Sequence, residues 1–237
     1  MIVYSLYDPF WSYYIFIHYF YNIDYLYIDR NILNFEYFFH WLTLWIIQFS
    51  ITMSTKEELS LNKKEFEFAQ NLKKLPDEQI ISLMVGLRES GKIYVLRPLL
   101  DEYFSRDSSK LKEAIIEFIT DIKDHHIVPI LVDSIRNHYQ NTSIAGLISA
   151  CWQSRLDFSK DISLFIEILC NKEYQTALEA FTVIENSLEN LDSSNRTSII
   201  STIRSNRMNA PKETKALLDQ MIVVIGKFVP DEDDQLT

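Results

Sequence analysis

A chain of 237 residues with 47% hydrophobic content is long enough to bury one continuous core. Its net charge of -10 sets the average surface against phosphate backbones and anionic headgroups, which argues against nucleic acid as the main partner. Only four glycines are present, so phosphate-cradling loops, dinucleotide-binding turns and hairpin-rich β folds lose the residue they depend on.

Residues 1–52 differ in composition from the rest of the chain. They hold 19 of the 32 aromatic residues, a single basic residue (Arg30), four acids and no Gly, Ala, Lys or Cys. Asp24, Asp29, Arg30 and Glu36 break the apolar runs into pieces shorter than the roughly 20 residues a membrane-spanning helix needs. Tyr and Trp are spread throughout instead of forming two interfacial belts. Two readings stay open for this segment. In one, it is upstream A- and T-rich DNA read as codons and the chain starts at Met53, where Thr55 and Glu58 stand at capping-box spacing. In the other, it is a membrane-associated anchor.

From Met53 the pattern is helical. Leu111, Ala114, Ile115, Phe118, Ile119 and Ile122 recur at i, i+3, i+4, i+7, i+8 and i+11, which places them on one stripe of an α-helix. Leu96, Leu99, Leu100, Tyr103 and Phe104 repeat the pattern, as do Ile162, Phe165, Ile166 and Leu169. Pro76, followed by Asp77 and Glu78, opens a helix that Gly91 closes, and Asn141, Ser159 and Asn209 stand where N-caps are wanted. These signals predict helices over 57–74, 76–89, 92–105, 108–123, 126–139, 142–155, 160–170, 172–190, 194–207 and 211–229, with a disordered acidic tail over 230–237. No stretch alternates with period two over a strand's length.

Four slots of one stripe recur at a spacing of 33: Leu111, Ile144 and Ala177; Ala114, Leu147 and Ala180; Ile115, Ile148 and Phe181; Phe118, Cys151 and Ile184. Two helices per unit at this period are the mark of stacked helix pairs, each burying its stripe against its neighbours. With Val128-Pro129-Ile130-Leu131-Val132-Asp133 in a first helix and Ala145 to Trp152 in a second, residues 92–190 resemble the HEAT and armadillo-like repeat family. The resemblance implies an all-α fold, a right-handed α-solenoid of about five antiparallel helix pairs over residues 53–229, and a habit of binding other molecules in a concave groove. It transfers no catalytic residue. The polar Ser193 to Asn209 helix, with a thin stripe of Ile199, Ile200, Ile203 and Met208, departs from the pattern.

Candidates for chemistry are few. His125 and His126 flank a helix start and His138 lies about three turns, or ~18 Å, further along, so the three cannot share one metal ion without outside help. Cys151 shares its slot with Phe118 and Ile184 and reads as a buried apolar residue; Cys170 ends a helix with no histidine nearby in sequence to act as base. Neither belongs to a Cys-rich framework, which fits a reducing, cytoplasmic setting. No metal, cofactor or enzymatic activity is expected.

Stacked second helices would form the groove wall, in rows Glu113, Gly146, Glu179; Glu117, Ala150, Val183; and Thr120, Gln153, Asn186. Trp152 stands at the stripe's edge, because its slot is Ile119 one repeat earlier and Glu185 one later, and is either a spacer between repeats or an aromatic anchor for a partner. The expected binding residues are therefore Glu113, Glu117, Trp152, Gln153, Glu179 and Asn186, facing a protein or peptide with basic flanks. An enzyme assembled from helix ends and a membrane-tethered adaptor using residues 1–52 are the rival readings. Mass spectrometry of the protein from its native host is expected to yield no peptide upstream of Met53; reproducible peptides from that segment would refute the Met53 start.

Overall fold

The computed structural model describes residues 59–88 and 93–228, together with Thr43. The aromatic segment apart from Thr43, the Met53 start with its Thr55–Glu58 capping box, Gly91 and the tail over 230–237 lie outside the described residues. The chain divides into two compact units, Met1–Glu57 and Glu58–Thr237, and the helices described from residue 59 onward belong to the second.

Among the described residues the regular structure is all helical. Helix α1 covers 59–72, followed by α2 (Asp77–Arg88), α3 (Leu96–Ser105), α4 (Ser109–Asp121), α5 (Val128–Asn137), α6 (Ile144–Ser154), α7 (Ile162–Asn171), α8 (Tyr174–Ser187), α9 (Ser193–Asn206) and α10 (Lys215–Gly226). None of the described helices is long and apolar enough to cross a membrane. Each expected helix is present, most of them shorter by a few residues at the ends.

The shortening follows a rule. Single 3₁₀ turns at Ile93–Val95, His125–Ile127, Ser159–Asp161 and Lys212–Thr214 lead into α3, α5, α7 and α10, taking over what the periodicity assigns to α-helix. Pro98 and Pro129 fall in the first turns of α3 and α5, where the missing N–H has no intrahelical partner to lose.

Capping residues also differ from expectation. Ser108 accepts from the Leu111 N–H and Asp192 from the Asn195 N–H, closing the starts of α4 and α9. Asn141 makes its bond one residue early, to the Ser143 N–H at 2.8 Å, while the Ser159 N–H is itself a donor, to Asp157 at 2.9 Å. The Asn209 N–H returns to the Asn206 carbonyl, and α10 begins without a side-chain cap. Short polar residues near helix starts satisfy turns as readily as caps, and spacing alone does not separate the two. Helix α6 ends on Arg155 in the left-handed conformation, at φ 60°. Helix ends ordinarily give that place to glycine.

Packing follows the stripes. All the slots spaced by 33 are buried except half-buried Ala114. Helix α4 packs between α2 and α6, α6 continues to α8, and α8 to α10, so each second helix touches the next. The first helices pack on their own second helices, as in α3 on α4, α5 on α6 and α7 on α8, and meet one another at α3–α5 and α7–α9. One buried cluster runs from Leu72 to Ile225. Each fully buried Leu, Ile or Phe in it contributes roughly 1.5–3 kcal/mol.

Long basic side chains join the pairs at their ends. Arg106, after α3, donates to the Leu72 carbonyl (3.0 Å), the Leu75 carbonyl (2.9 Å), Asp77 (2.7 Å) and Glu102 (2.5 Å). Its hydrogen bond, followed by one from Ser108, holds the Asp77 carboxyl below the ordinary range. Arg196 in α9 donates to the Leu188 carbonyl (3.1 and 2.9 Å) and the Phe228 carbonyl (2.7 Å). Lys123 reaches the carbonyls of Thr120 (2.8 Å) and Ser154 (3.2 Å). C-terminal carbonyls that have no intrahelical donor are thereby satisfied across helices.

Gly146 in α6 marks a close approach. A Cβ there would stand 2.5 Å from Tyr103 Oη and 3.7 Å from its Cζ, and that hydroxyl is held by donation to the Ser143 carbonyl at 2.7 Å. Gly146→Ala is therefore expected to cost about 1–3 kcal/mol in denaturant melts. Tyr103→Phe removes the clashing atom and leaves an ordinary contact, so the double variant is expected to be more stable than additivity allows; a coupling near zero would contradict the close approach.

Candidate functional site

The six residues expected to bind a partner do not form one uniform wall. Glu113 and Asn186 are exposed on α4 and α8. Glu117 is exposed but engaged, its carboxylate lying 3.4 Å from Arg88, which also contacts Asp121 at 3.1 Å. Gln153 is exposed and donates to Ser149 Oγ within its own helix, at 2.6 Å. Trp152 and Glu179 are brought together across the α6–α8 junction: the indole Nε1–H donates to the Glu179 carboxylate at 2.6 Å. The Trp152 ring is half-buried and packs against the core. The polar edge of the Trp152 indole is thus satisfied within the chain, and the rest of the half-buried ring is partly open to solvent.

Two of the expected rows require correction. Ala150 is 0% and Val183 1% exposed, so the row through Glu117 submerges as it passes to α6 and α8. Helices α6 and α8 are flanked on three sides, by a first helix and two second helices, and bury a wider sector than a single stripe. The row through Gly146 is interrupted as well, since Gly146 backs onto Tyr103 and Ile116. The exposed residues of the second helices include Glu113, Glu117 and Asp121 on α4 and Glu185 and Asn186 on α8, beside Lys110, Tyr174 and Leu178, with the half-exposed Trp152–Glu179 pair at the α6–α8 junction.

A concavity of ≈ 390 Å³ lies between α7 and α9. Ile162, Ile166, Cys170 and Ile199 contribute apolar lining, and Glu167, Asn171, Asn195 and Thr202 polar lining. The weak stripe of α9 is the signal for it in the sequence: only Ile199 and Ile203 are buried there, so the small polar residues beside them leave the space open.

Both thiols are chemically quiet. Cys151 is fully buried, donates to the Leu147 carbonyl at 3.3 Å, and burial pushes its thiol upward. Burial also raises Cys170, to about 11. Each therefore stays protonated near neutrality. His138 is separated from the other two histidines in role as well as distance. Its ring stacks on Phe104 at 3.8 Å and its Nδ1 lies 2.9 Å from the Ser134 carbonyl.

Compared with known proteins, the chain matches no family model, no curated protein and no solved structure.

The Trp152–Glu179 bond has a measurable consequence. Hydrogen bonds to charged groups contribute about 1.5–3 kcal/mol, and partial exposure reduces this one to about 1 kcal/mol. A double-mutant cycle of Trp152→Phe and Glu179→Ala is expected to show that coupling in urea melts. Strictly additive effects would mean that the two side chains do not meet in solution.

Proposed function

We propose that this chain is a non-enzymatic interaction module, a right-handed HEAT- or armadillo-like solenoid that binds a protein segment along its second helices. The supporting observation is that Glu113 on α4 and Glu185 on α8 stand exposed on the second helices that flank α6, which carries Trp152, on a chain of net charge -10. Such a surface complements a peptide carrying an apolar anchor between Lys or Arg residues. The anchor meets the exposed edge of Trp152, and the basic flanks lie over the carboxylates. Charge then governs the rate of encounter, and the half-buried aromatic supplies most of the contact energy. Protonated, buried thiols at Cys151 and Cys170 fit a cytoplasmic setting.

The test uses defined peptides with the full chain. Fluorescence polarisation is measured with peptides carrying one Leu or Phe anchor flanked by Lys, and with matched peptides flanked by Glu. Only the Lys-flanked set is expected to bind, more weakly as salt rises. Glu113→Lys and Glu185→Lys, both free of the contacts that join helices, are expected to weaken binding several-fold each while leaving helicity unchanged by circular dichroism. Equal binding of both peptide sets, or indifference to the two reversals, would refute this reading.

A further inference from the structure

The 3₁₀ turn between α4 and α5 gathers three potential metal ligands that come from consecutive residues. One ligand atom from each of Asp124, His125 and His126 lies within 4.8 Å of the others. The turn itself makes this possible. Asp124 caps it, accepting from the His126 N–H at 2.9 Å, and the same oxygen lies 2.7 Å from His126 Nδ1. The two imidazole rings stand side by side, with centroids 4.3 Å apart and planes tilted by 30°. By sequence alone these histidines and His138, about three turns away, cannot share an ion, whereas the fold supplies a carboxylate from the adjoining residue as the third group.

Bonds of about 2.0–2.2 Å at tetrahedral angles place the ligand atoms of a zinc-like ion about 3.3–3.6 Å apart. The three ligand atoms lie within 4.8 Å of one another, and rotation of the exposed imidazoles can bring them to that spacing. Two imidazoles and one carboxylate suit zinc and its transition-metal neighbours, while magnesium and calcium prefer all-oxygen shells. The ammonium of Lys123, the residue before Asp124, is drawn to the carbonyls of Thr120 and Ser154. We infer that the Asp124–His125–His126 turn binds one divalent transition-metal ion of the zinc class. Three protein ligands leave at least one coordination position for water or an incoming donor.

The experiment is isothermal titration of the full chain, stripped with chelator, against zinc chloride, with magnesium chloride as comparison. One zinc ion per chain and no magnesium uptake are expected. His125→Gln and His126→Gln are each expected to weaken zinc binding by more than about tenfold. Asp124→Asn tests the carboxylate without removing the cap, because asparagine caps as well as aspartate, and a comparable loss is expected. His138→Gln is expected to leave binding unchanged. Circular dichroism checks that every variant keeps its helicity. Absence of saturable zinc binding, or binding that survives Asp124→Asn and the His125→Gln/His126→Gln double variant, would overturn the assignment.

Discussion

A second helix in this chain carries more apolar surface than its own first helix can cover, and the rest of the structure depends on that mismatch. Helix α8 buries Thr176, Ala177, Ala180, Phe181, Val183, Ile184 and Ser187, a sector too wide for α7 alone. Contact with α6 on one side and α10 on the other completes the burial. Because hydrophobic stabilisation scales with area removed from water, the pairs hold one another in place and no pair is self-sufficient. The same constraint explains why the polar α9 matters. A helix that buries only Ile199 and Ile203 closes less of the surface beside it, and the α7–α9 groove is the space left over.

Polar joints decide how the pairs meet at their ends. Apolar stripes attract without direction, whereas a helix C-terminus presents carbonyls that require donors from elsewhere. Arg106 gathers the end of α1, the start of α2 and buried Glu102 into one cluster, and Arg196 does the corresponding work between the end of α8 and Phe228 beyond α10. Guanidinium groups suit this task because their planar fork serves two or three acceptors at once. Between these two arginines, Lys123 ties the end of α6 to the end of α4.

The exposed positions of the central second helices combine acidic side chains with the half-buried edge of Trp152. Glu117 is partly neutralised by Arg88, and Glu179 is drawn to the Trp152 indole, so Glu113 and Glu185 carry the uncommitted negative charge along the central second helices. Groups that structure does not consume are the ones a partner would meet. The Asp124–His126 turn lies in the connection from α4 to α5, where the 3₁₀ curl of the backbone brings the side chains of three consecutive residues close together.

Helix existence, helix phase and the buried stripe were legible in the sequence, because each is set by local periodicity: Leu111, Ile115 and Phe118 lie on one side of a helix whatever packs against them. The 33-residue register carried that phase correctly from α4 to α8 for the stripe itself. It failed one position away, at Ala150 and Val183, because the width of a buried sector depends on how many neighbours flank the helix, and that number is not written in any one repeat. The caps at Asn141, Ser159 and Asn209 were misread because turns and helix starts draw on the same short polar residues. Contacts such as Trp152 to Glu179, 27 residues apart, Tyr103 to Ser143, 40 apart, and the Arg106 cluster leave no local signature. By itself, then, the sequence determined which residues are helical and which faces are apolar, since hydrogen bonding and side-chain period are short-range. Only the tertiary structure decided which polar groups are spent on holding helices together and which stay available, since that depends on distances between helices that the chain sets only when it packs.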